Sequence, residues 1–323
     1  MMSLPQILAR LRRHVVSQGN KAAATAALIL GLSLAGPLSA ELIYGIANQS
    51  PATAILRWDS ANPGNIQYGA FVSGLQPSET ILGIDFRPAT GQMYALGSTS
   101  RLYTLDPNSG VATAVAPPFG PPNLSGFSFG FDFNPVIDRI RVVSETNQNL
   151  VLNPITGTIQ AVAPNVAYGA GDPNFGVDPN VVDSAYTSNF AGATATTLYG
   201  IDTGLDVLVT QVAATGVLST VGPLGLNVSA AGGFDISGTT GLAYAALQPA
   251  GSSQSSLYSI NLATGAAVPI GPIDGGVVIT ALTVAPAPIP EPASCLLLAF
   301  ATAGAIVGRP RRRWTSGGRN SAP

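Results

Sequence analysis

The chain of 323 residues has 46% hydrophobic and 9% charged residues, 37 glycines, 26 prolines and a formal net charge of −2. This composition excludes an intrinsically disordered chain, and a pI near 5.3 without a basic stretch in the middle excludes a nucleic-acid-binding protein. The charges are segregated, because residues 41–290 hold five arginines against fifteen acids while both termini are basic. The low net charge therefore averages two basic ends and an acidic middle.

Residues 1–40 have the three parts of a secretory signal peptide. A basic region runs to Lys21, the apolar stretch AAATAALILGLSLAG follows over residues 22–36, and Pro37 precedes Leu38-Ser39-Ala40. We predict that signal peptidase cuts after Ala40, so that the exported chain starts at Glu41. Leu38 is larger than the residue usual three positions before a cut, which leaves a shifted site open. The other alternative is an N-terminal membrane anchor that stays uncut.

The middle of the chain is a repeat of short strands. Helical periodicity is nearly absent, and runs of β-branched and aromatic residues alternate with Gly, Pro, Asn and Asp. Four copies of the unit begin with TILGIDFRP (80–88), FSFGFDFNP (127–135), VVDSAYTSN (181–189) and AAGGFDIS (230–237). Four predicted strands at a period of about 50 residues indicate one β-propeller blade per copy.

Each copy has the same turn between its third and fourth predicted strands. The turn is DPNSG at 106–110, NPITG at 153–157, AATG at 213–216 and LATG at 262–265. Because glycine adopts positive φ at little cost, we predict a tight hairpin at each of these turns.

The segments at the two ends of the repeat together make a fifth unit. VVITALTVAP (277–286) resembles the first strand of a blade, whereas ELIYGIA (41–47), AILRWDSANPG (54–64) and NIQYGAFVS (65–73) resemble the second, third and fourth strands. We therefore predict an all-β fold, a five-bladed β-propeller over residues 41–285, in which the last strand closes the ring with the N-terminal three strands. A pair of β-sandwiches and an open β-solenoid are the alternatives.

The C-terminal end is predicted to be a second membrane-targeting segment. A proline-rich spacer (286–292) precedes an apolar run (293–308), an arginine cluster follows up to residue 313, and residues 314–323 form the tail. Sixteen helical residues span about 24 Å, which is short of the ~30 Å hydrocarbon core. The trailing arginines place the tail in the cytoplasm, so that the middle of the chain is exported.

Two resemblances refine these expectations. Ile289-Pro290-Glu291-Pro292-Ala293-Ser294, the apolar run and the cluster Arg311-Arg312-Arg313 resemble the PEP-CTERM sorting signal of Gram-negative bacteria that make exopolysaccharide. The resemblance implies transient insertion in the inner membrane, processing by exosortase, and a cell-surface or extracellular location afterwards. A plain tail anchor is the alternative, and it leaves Pro290-Glu291-Pro292 without a role.

The repeat itself resembles a bacterial domain of unknown function, number 4394. The segments that carry this resemblance are Leu42-Ile43-Tyr44-Gly45-Ile46, Gly83-Ile84-Asp85-Phe86-Arg87-Pro88, and Gly130-Phe131-Asp132-Phe133-Asn134-Pro135 with Asp138-Arg139-Ile140-Arg141. The resemblance spans most of residues 41–285 and implies no established activity. The third copy departs from the pattern, since it has Ala185-Tyr186-Thr187 in place of the Asp-Phe-x-Pro element.

The side chains available to the exported segment restrict its chemistry. His14, Lys21 and Cys295 are the only residues of their types, so residues 41–290 contain no histidine, lysine or cysteine. This excludes Ser-His-Asp triads, cysteine nucleophiles, lysine Schiff bases and histidine-based zinc or iron sites. The glycine pairs at 232–233 and 275–276 lack the context of a phosphate-binding loop, so we predict no nucleotide and no cofactor.

Carboxylates remain as candidate groups. Asp85, Asp132 and Asp235 recur at matching positions of three copies, and Glu145 lies at a predicted strand end. A glycosidase needs a carboxyl group of raised pKa about 5–9 Å from a second carboxylate. Because an active site is asymmetric, repetition favours a structural role, in which each aspartate accepts hydrogen bonds from a neighbouring loop inside its own blade. Glu145 is expected to be solvated.

The most polar stretch supplies a candidate binding set. The residues of this set are Asp85, Arg87, Asp132, Asn134, Asp138, Arg139 and Arg141, beside the polar stretch Asn147-Gln148-Asn149. Bidentate arginine contacts suit a sugar or an acidic polymer, and a surface ion pair is the alternative. Asp172, Asp178 and Asp183 lie close in sequence and offer the oxygen ligands of a calcium site, but their spacing matches no calcium loop, so we assign no metal ligand.

We therefore expect an exported, non-enzymatic propeller that serves as a binding or structural module at the cell surface or in the extracellular matrix. Extracellular polysaccharide is the expected partner. A glycoside hydrolase that uses channel carboxylates and a protein-interaction scaffold are the alternatives.

Overall fold

The structure, a computed structural model, describes residues 40–49 and 52–286. The predicted signal peptide before residue 40 lies outside the described residues, as do most of the predicted spacer and the whole sorting segment, including Pro290, Glu291, Pro292 and the arginine cluster. Ala40, the predicted cleavage position, is exposed. In the part of the chain that the structure describes, no helix is long and apolar enough to cross a membrane.

The described residues form twenty-one strands in five separate sheets, which are arranged as a five-bladed β-propeller. Blade 1 contains β1 (Leu42–Gln49), β2 (Ala52–Asp59) and β3 (Asn62–Phe71). Blade 2 contains β4 (Ile81–Phe86), β5 (Met93–Gly97), β6 (Arg101–Leu105) and β7 (Ala112–Ala114). Blade 3 contains β8 (Phe129–Asn134), β9 (Arg139–Ser144), β10 (Asn149–Leu152) and β11 (Ile159–Val162).

The remaining strands complete the ring. Blade 4 contains β12 (Ala167–Tyr168), β13 (Val181–Tyr186), β14 (Leu198–Asp202), β15 (Val207–Val212) and β16 (Val217–Pro223). Blade 5 contains β17 (Val228–Ile236), β18 (Ala243–Pro249), β19 (Ser256–Ile260) and β20 (Ala267–Pro272), and a 3₁₀ turn (Asp274–Gly276) follows it. The last strand, β21 (Ala281–Val284), returns to blade 1.

The predicted closure of the ring is confirmed. Strand β21 pairs antiparallel with β1, with Ile43 opposite Val284 and Ile46 opposite Ala281. Blade 1 therefore has the order β21-β1-β2-β3, in which the last strand of the described chain is innermost. Because both ends of the domain are paired in one sheet, opening the ring costs the hydrogen bonds of that sheet.

The five innermost strands enclose a central channel. Strands β4, β8, β13, β17 and β21 contact one another in this order, and β21 contacts β4 again. The hydrophobic core is divided into five clusters, each of which combines buried residues of two adjacent blades. Between blades 1 and 2, for example, the Tyr44 and Phe86 rings pack edge to face at 5.5 Å between centroids. Contacts between blades, rather than within one blade, therefore hold the apolar surface out of water.

The repeated hairpin turns have the predicted backbone. Gly110, Gly157, Gly216 and Gly265 all have positive φ, at 74°, 65°, 73° and 81°. Each of these glycines donates its N–H to the carbonyl four residues earlier, for example to Asp106 at 2.9 Å. This geometry is that of a short hairpin loop closed by a left-handed residue, for which glycine is the least costly choice.

Two details differ from the sequence expectations. Strand β12 adds a fifth, parallel strand to the outer edge of blade 4, where two residues pair with β16. Strand β3 begins at Asn62, so that Asn62-Pro63-Gly64, assigned in sequence to the third segment of the unit (54–64), belongs to the outer strand. A proline is tolerated there because the backbone groups along the outer side of an edge strand do not pair with another strand.

Glycines allow the innermost strands to approach one another. A Cβ atom on Gly233 would lie 2.3 Å from the backbone nitrogen of Leu282, and one on Gly130 would lie 2.6 Å from that of Ser184. A Cβ on Gly83 would lie 2.4 Å from the Cβ of Phe131. Each contact joins one innermost strand to the next, so these glycines set the width of the channel.

Gly233→Ala tests this constraint. We expect the free energy of unfolding to fall by about 1–3 kcal/mol or more, because backbone cannot move aside as a side chain can. Gly64→Ala is the matched control, since a Cβ there would meet its nearest atom at 3.8 Å. Urea unfolding monitored by tryptophan fluorescence measures both variants, and equal stability of the two would contradict the constraint.

Candidate functional site

The innermost strands place equivalent residues in layers along the channel. Three backbone hydrogen bonds fix the equivalence: the N–H groups of Phe133, Tyr186 and Val284 donate to the carboxylates of Asp85, Asp132 and Asp235. In each case the donor belongs to the next blade, where it comes directly after the residue that is equivalent to the aspartate. We name this set the aspartate layer; its members are Asp85, Asp132, Ala185, Asp235 and Thr283. The predicted departure of the third copy at Ala185 is thereby explained.

The aspartates therefore connect adjacent blades. The donor–acceptor distances are 2.8 Å for Asp85, 3.1 Å for Asp132 and 2.7 Å for Asp235. Our expectation that each aspartate bonds a loop inside its own blade is wrong in this detail. Each carboxylate accepts an N–H from the innermost strand of the following blade, and Asp85 and Asp235 also accept the N–H of the next residue in their own strand.

The three carboxylates also converge on one another. Oxygen atoms of Asp85, Asp132 and Asp235 all lie within 4.8 Å of one another, and each residue is only 1% exposed. Burial raises the pKa of all three well above the usual range for aspartate, and the neighbouring carboxylates raise the pKa of Asp85 and Asp132 further. Two unit charges at about 5 Å repel each other by about 3 kcal/mol at an effective dielectric constant of about 20. Three uncompensated charges here would oppose folding.

The hydroxyl group of Thr283 contacts two of the three aspartates. Its Oγ1 lies 2.9 Å from Asp85 Oδ1 and 3.1 Å from Asp235 Oδ2. A hydroxyl group has one proton to donate, so it satisfies only one of two ionised carboxylates. The other contact requires either a proton on an aspartate or a cation nearby.

A fourth carboxylate lies in the adjoining layer of the channel. Asp183 precedes Ala185 by two residues and occupies the place that Gly83, Gly130 and Gly233 hold in other blades. It is 4% exposed, and its Oδ2 is buried without a hydrogen-bond partner among the described residues. Burial alone raises the pKa of Asp183 to about 7. In the sequence Asp183 lies near Asp172 and Asp178, and its offset of two residues from Ala185 is the signal that it faces the channel.

Asp183 faces a small void on the channel axis. The void has a volume of about 10 Å³ and is lined by all five innermost strands, including Ser184. The Oγ of Ser184 is likewise buried without a hydrogen-bond partner among the described residues. A void of this size has room for about one water molecule.

The other members of the predicted binding set lie in two places. Arg87 and Asp138 form a bidentate ion pair between blades 2 and 3, with Nε to Oδ1 at 2.8 Å. This hydrogen-bonded pair raises the pKa of Arg87 and lowers that of Asp138. Arg139 donates to the Asp138 carbonyl, and Asn134 Oδ1 accepts the N–H groups of Val136 and Ile137 in its own turn.

Arg141 is separate from this pair. It is 6% exposed, and its Nη1 donates to Asn149 Oδ1 at 2.7 Å. Asn147 contacts Asp178, and Gln148 contacts the carbonyl of Asn123. The stretch that is polar in sequence is thus divided among several local contacts. Asp172, too, accepts its hydrogen bonds from Thr220 and Asn174, away from Asp178 and Asp183.

The channel opens into a cavity where the innermost strands begin. This mouth cavity has a volume of about 450 Å³ and carries hydroxyl and amide groups together with apolar side chains. Its polar lining residues are Asn48, Thr80, Ser98, Ser128 and Thr280. None of the described residues that line it is charged.

Phe127 lies at the rim of the mouth cavity with 91% of its surface exposed. Glu145, which we expected to be solvated, instead accepts the N–H groups of Phe127 at 2.6 Å and Ser128 at 3.1 Å. The expectation for Glu145 is wrong because its strand ends beside a loop whose N–H groups need acceptors. The carboxylate thus holds the loop that presents the phenyl ring.

The fold and the channel define an all-β propeller with buried axial carboxylates and an uncharged mouth. The chain matches the family described as "Domain of unknown function (DUF4394)" over residues 54–283 and belongs to that family. No curated protein matches it. One similar solved chain comes from a nidogen–laminin complex, at 10% identity and a TM-score of 0.44, covering 76% of this chain and 98% of that one.

A second solved structure is a structural genomics protein of unknown function from Bacteroides thetaiotaomicron VPI-5482. It is 11% identical with a TM-score of 0.45, and the match covers 77% of this chain and 67% of that chain.

The raised pKa values predict that the free energy of unfolding decreases with increasing pH. A chelator in the buffer keeps metal ions from binding the carboxylates during this measurement. The pKa of Asp183 is about 7 in the folded state and about 4 in the unfolded chain, so the folded state holds the extra proton between these values. As the pH rises through this window, the free energy of unfolding therefore decreases. Asp183→Asn should therefore stabilise the protein by about 2–4 kcal/mol at pH 8 and have little effect below pH 4.

Thermal unfolding across this pH range measures the effect. Asp172→Asn is the control, because it removes a carboxylate that accepts three hydrogen bonds outside the channel and should gain no stability. A wild-type melting temperature that does not change between pH 5 and pH 8 would contradict the prediction.

Proposed function

We propose that this chain is an exported, non-enzymatic propeller that binds a neutral extracellular polysaccharide at the mouth cavity. The observation that carries the proposal is an uncharged cavity of about 450 Å³ with an exposed aromatic ring at its rim. The chain then acts at the cell surface or in the extracellular matrix as a binding or structural module.

The chemistry of the mouth cavity suits a sugar. A pyranose ring has hydroxyl groups around its edge and apolar C–H groups on its faces. Hydroxyl and amide side chains such as Thr80, Ser128 and Asn48 can exchange hydrogen bonds with the edge, and the Phe127 ring can cover a face. Burial of the phenyl ring by a ligand would also remove its apolar surface from water.

The absence of charge at the mouth bears on the kind of polymer. A uronic-acid or sulfated polymer would require arginine or lysine at the contact surface. The lining residues of the mouth are neutral, and the nearby Glu145 carboxylate is engaged with backbone N–H groups. We therefore favour a neutral polymer over the acidic one that the arginines of the sequence suggested.

The resemblance of the C-terminal segment to the PEP-CTERM signal supports an extracellular partner. Exosortase and signal peptidase are then the partners during export, and exopolysaccharide is the polymer encountered afterwards. Glu41, the proposed first residue of the exported chain, is buried, and its N–H donates to Ser60 Oγ at 2.9 Å. The amino group that cleavage after Ala40 would create at Glu41 can still donate this hydrogen bond.

The alternative of a glycoside hydrolase depends on the aspartate layer. Two carboxyl groups of raised pKa do lie close together there, as such chemistry requires. Each is only 1% exposed, however, and each accepts a backbone hydrogen bond from the next blade. A sugar ring is far larger than the void of about 10 Å³ beside them, which is why we propose binding without hydrolysis.

Phe127→Ala tests the binding site. Loss of the ring should weaken binding of the native neutral polymer by about tenfold or more, with little change in stability because the side chain is exposed. Phe71→Ala is the matched control, since Phe71 is 75% exposed at the end of an outer strand and should retain binding within about twofold. Isothermal titration with fragments of the polymer measures both variants.

Two results would contradict the binding proposal. One is no binding of native extracellular polymer by the full chain at about millimolar concentration. The other is equal binding by the two variants. Release of reducing ends from a bound polymer would instead favour the hydrolase, and retention of a matrix protein without polymer would favour a scaffold.

Export is tested separately by mass spectrometry of the protein recovered from the cell surface and medium. We expect a chain that begins at Glu41 and ends near Pro290, because signal peptidase and exosortase remove the two basic ends. Recovery of a chain that retains Met1 or Pro323 would contradict this processing.

A further inference from the structure

We propose that the central channel binds one Ca²⁺ ion on its axis, held by Asp85, Asp132 and Asp235 and completed from the adjoining layer by Asp183. This site is independent of the mouth cavity and of its ligand. The ion would cross-link the innermost strands of a propeller that has no cysteine between residues 41 and 290.

The first support is the arrangement of the oxygen atoms. Carboxylate oxygens from three different blades lie within 4.8 Å of one another. Calcium binds oxygen at about 2.3–2.6 Å, so two oxygens that bind the same ion lie up to about 5 Å apart, and the spacing of these atoms falls within that limit. Each carboxylate also retains lone pairs beyond its backbone hydrogen bond, and Asp132 accepts the fewest donors of the three.

The second support is Asp183, which is independent of the cluster. It is a fourth buried carboxylate whose Oδ2 has no donor among the described residues, and it lines the void next to the aspartate layer. The residues that line this void include Ile84, Phe131 and Phe234, which directly precede the three aspartates. One water in the void connects Asp183 to the ion, as a water connects one carboxylate to calcium in many loops.

The third support is the missing positive charge. Arg141 lies opposite Asp132 in the pairing of β8 with β9, but it donates to Asn149 instead. In the described residues the one ion pair is that between Arg87 and Asp138, which lies outside the layer. Thr283 offers a single proton to two carboxylates. A divalent cation would supply the missing positive charge. The hydroxyl oxygen of Thr283 could then face the ion, so that its single proton would no longer have to serve two carboxylates.

The ligand set selects the metal. All the atoms offered are carboxylate or hydroxyl oxygens, which favour hard cations over zinc, copper or iron. Magnesium gives up its water shell reluctantly and keeps several waters, whereas the void holds about one. Calcium accepts irregular oxygen sets, and millimolar Ca²⁺ is the range in which extracellular modules bind it.

The test uses the full chain, with metal content measured as purified and Ca²⁺ titrated after EDTA treatment. We expect one Ca²⁺ per chain and a higher melting temperature with Ca²⁺ than with equal Mg²⁺. Asp132→Asn should weaken Ca²⁺ binding by about tenfold or more while its amide oxygen still accepts the Tyr186 N–H. Asp183→Asn should also weaken it, and folding tolerates this change because Oδ2 accepts no hydrogen bond from any residue that the structure describes.

Asp172→Asn is the control, because this carboxylate also accepts a backbone N–H from another strand but lies outside the channel. It should bind Ca²⁺ as the wild type does. The proposal is overturned if the protein contains no Ca²⁺ as purified and millimolar Ca²⁺ shifts the melting temperature no more than Mg²⁺. It is also overturned if both channel variants bind Ca²⁺ with wild-type affinity.

Discussion

The close approach of five innermost strands around one axis constrains the rest of the structure. Where a Cβ atom would collide with the innermost strand of the next blade, the chain has Gly83, Gly130 and Gly233. Two residues further along, aspartates accept N–H groups of the following blade, which would otherwise have no partner in an innermost strand. Steric fit and backbone hydrogen bonding thus account for the Gly-x-Asp pattern of blades 2, 3 and 5. The apolar clusters between blades surround the ring of innermost strands.

Blades 1 and 4 depart from this pattern, which makes the channel asymmetric; blade 1 has Ala281 and Thr283 at these positions. In blade 4, Asp183 takes the glycine position and Ala185 the aspartate position, so one carboxylate is displaced by two residues along the axis. The result is three carboxylates in one layer and a fourth in the next, whose Oδ2 has no hydrogen-bond partner in the part of the chain that the structure describes. An aspartate in every blade would bring five carboxylates into one layer, whereas this arrangement places three in one layer and one in the next, each buried where ionisation is costly.

Much of the fold could be predicted from the sequence because each repeat can be recognised within a short stretch of the chain. The period, the turn glycines and the leftover strands together determine five blades and their closure. Convergence of Asp85, Asp132 and Asp235 could not be predicted, since strand patterns specify which face a residue occupies but not how near the strands of different blades approach. The burial of Arg141 and the loop contact of Glu145 depend on the same tertiary distances. Strand β12, with two residues, has no periodicity to detect.

The mouth cavity and the axial carboxylates divide the channel into two parts with different chemistry. The mouth is neutral, open and carries an exposed aromatic ring, which suits recognition of a polymer outside the cell. The interior is acidic and closed, which suits an ion that stabilises the scaffold. Because the two parts share the innermost strands, a rigid interior would hold the loops of the mouth in place.

The most direct measurement is an anomalous diffraction map from crystals grown with Ca²⁺. We predict a single peak on the channel axis at about 2.3–2.6 Å from carboxylate oxygens of Asp85, Asp132 and Asp235. A map without a peak there, in which the three carboxyl groups pair with one another through shared protons, would contradict the cation site.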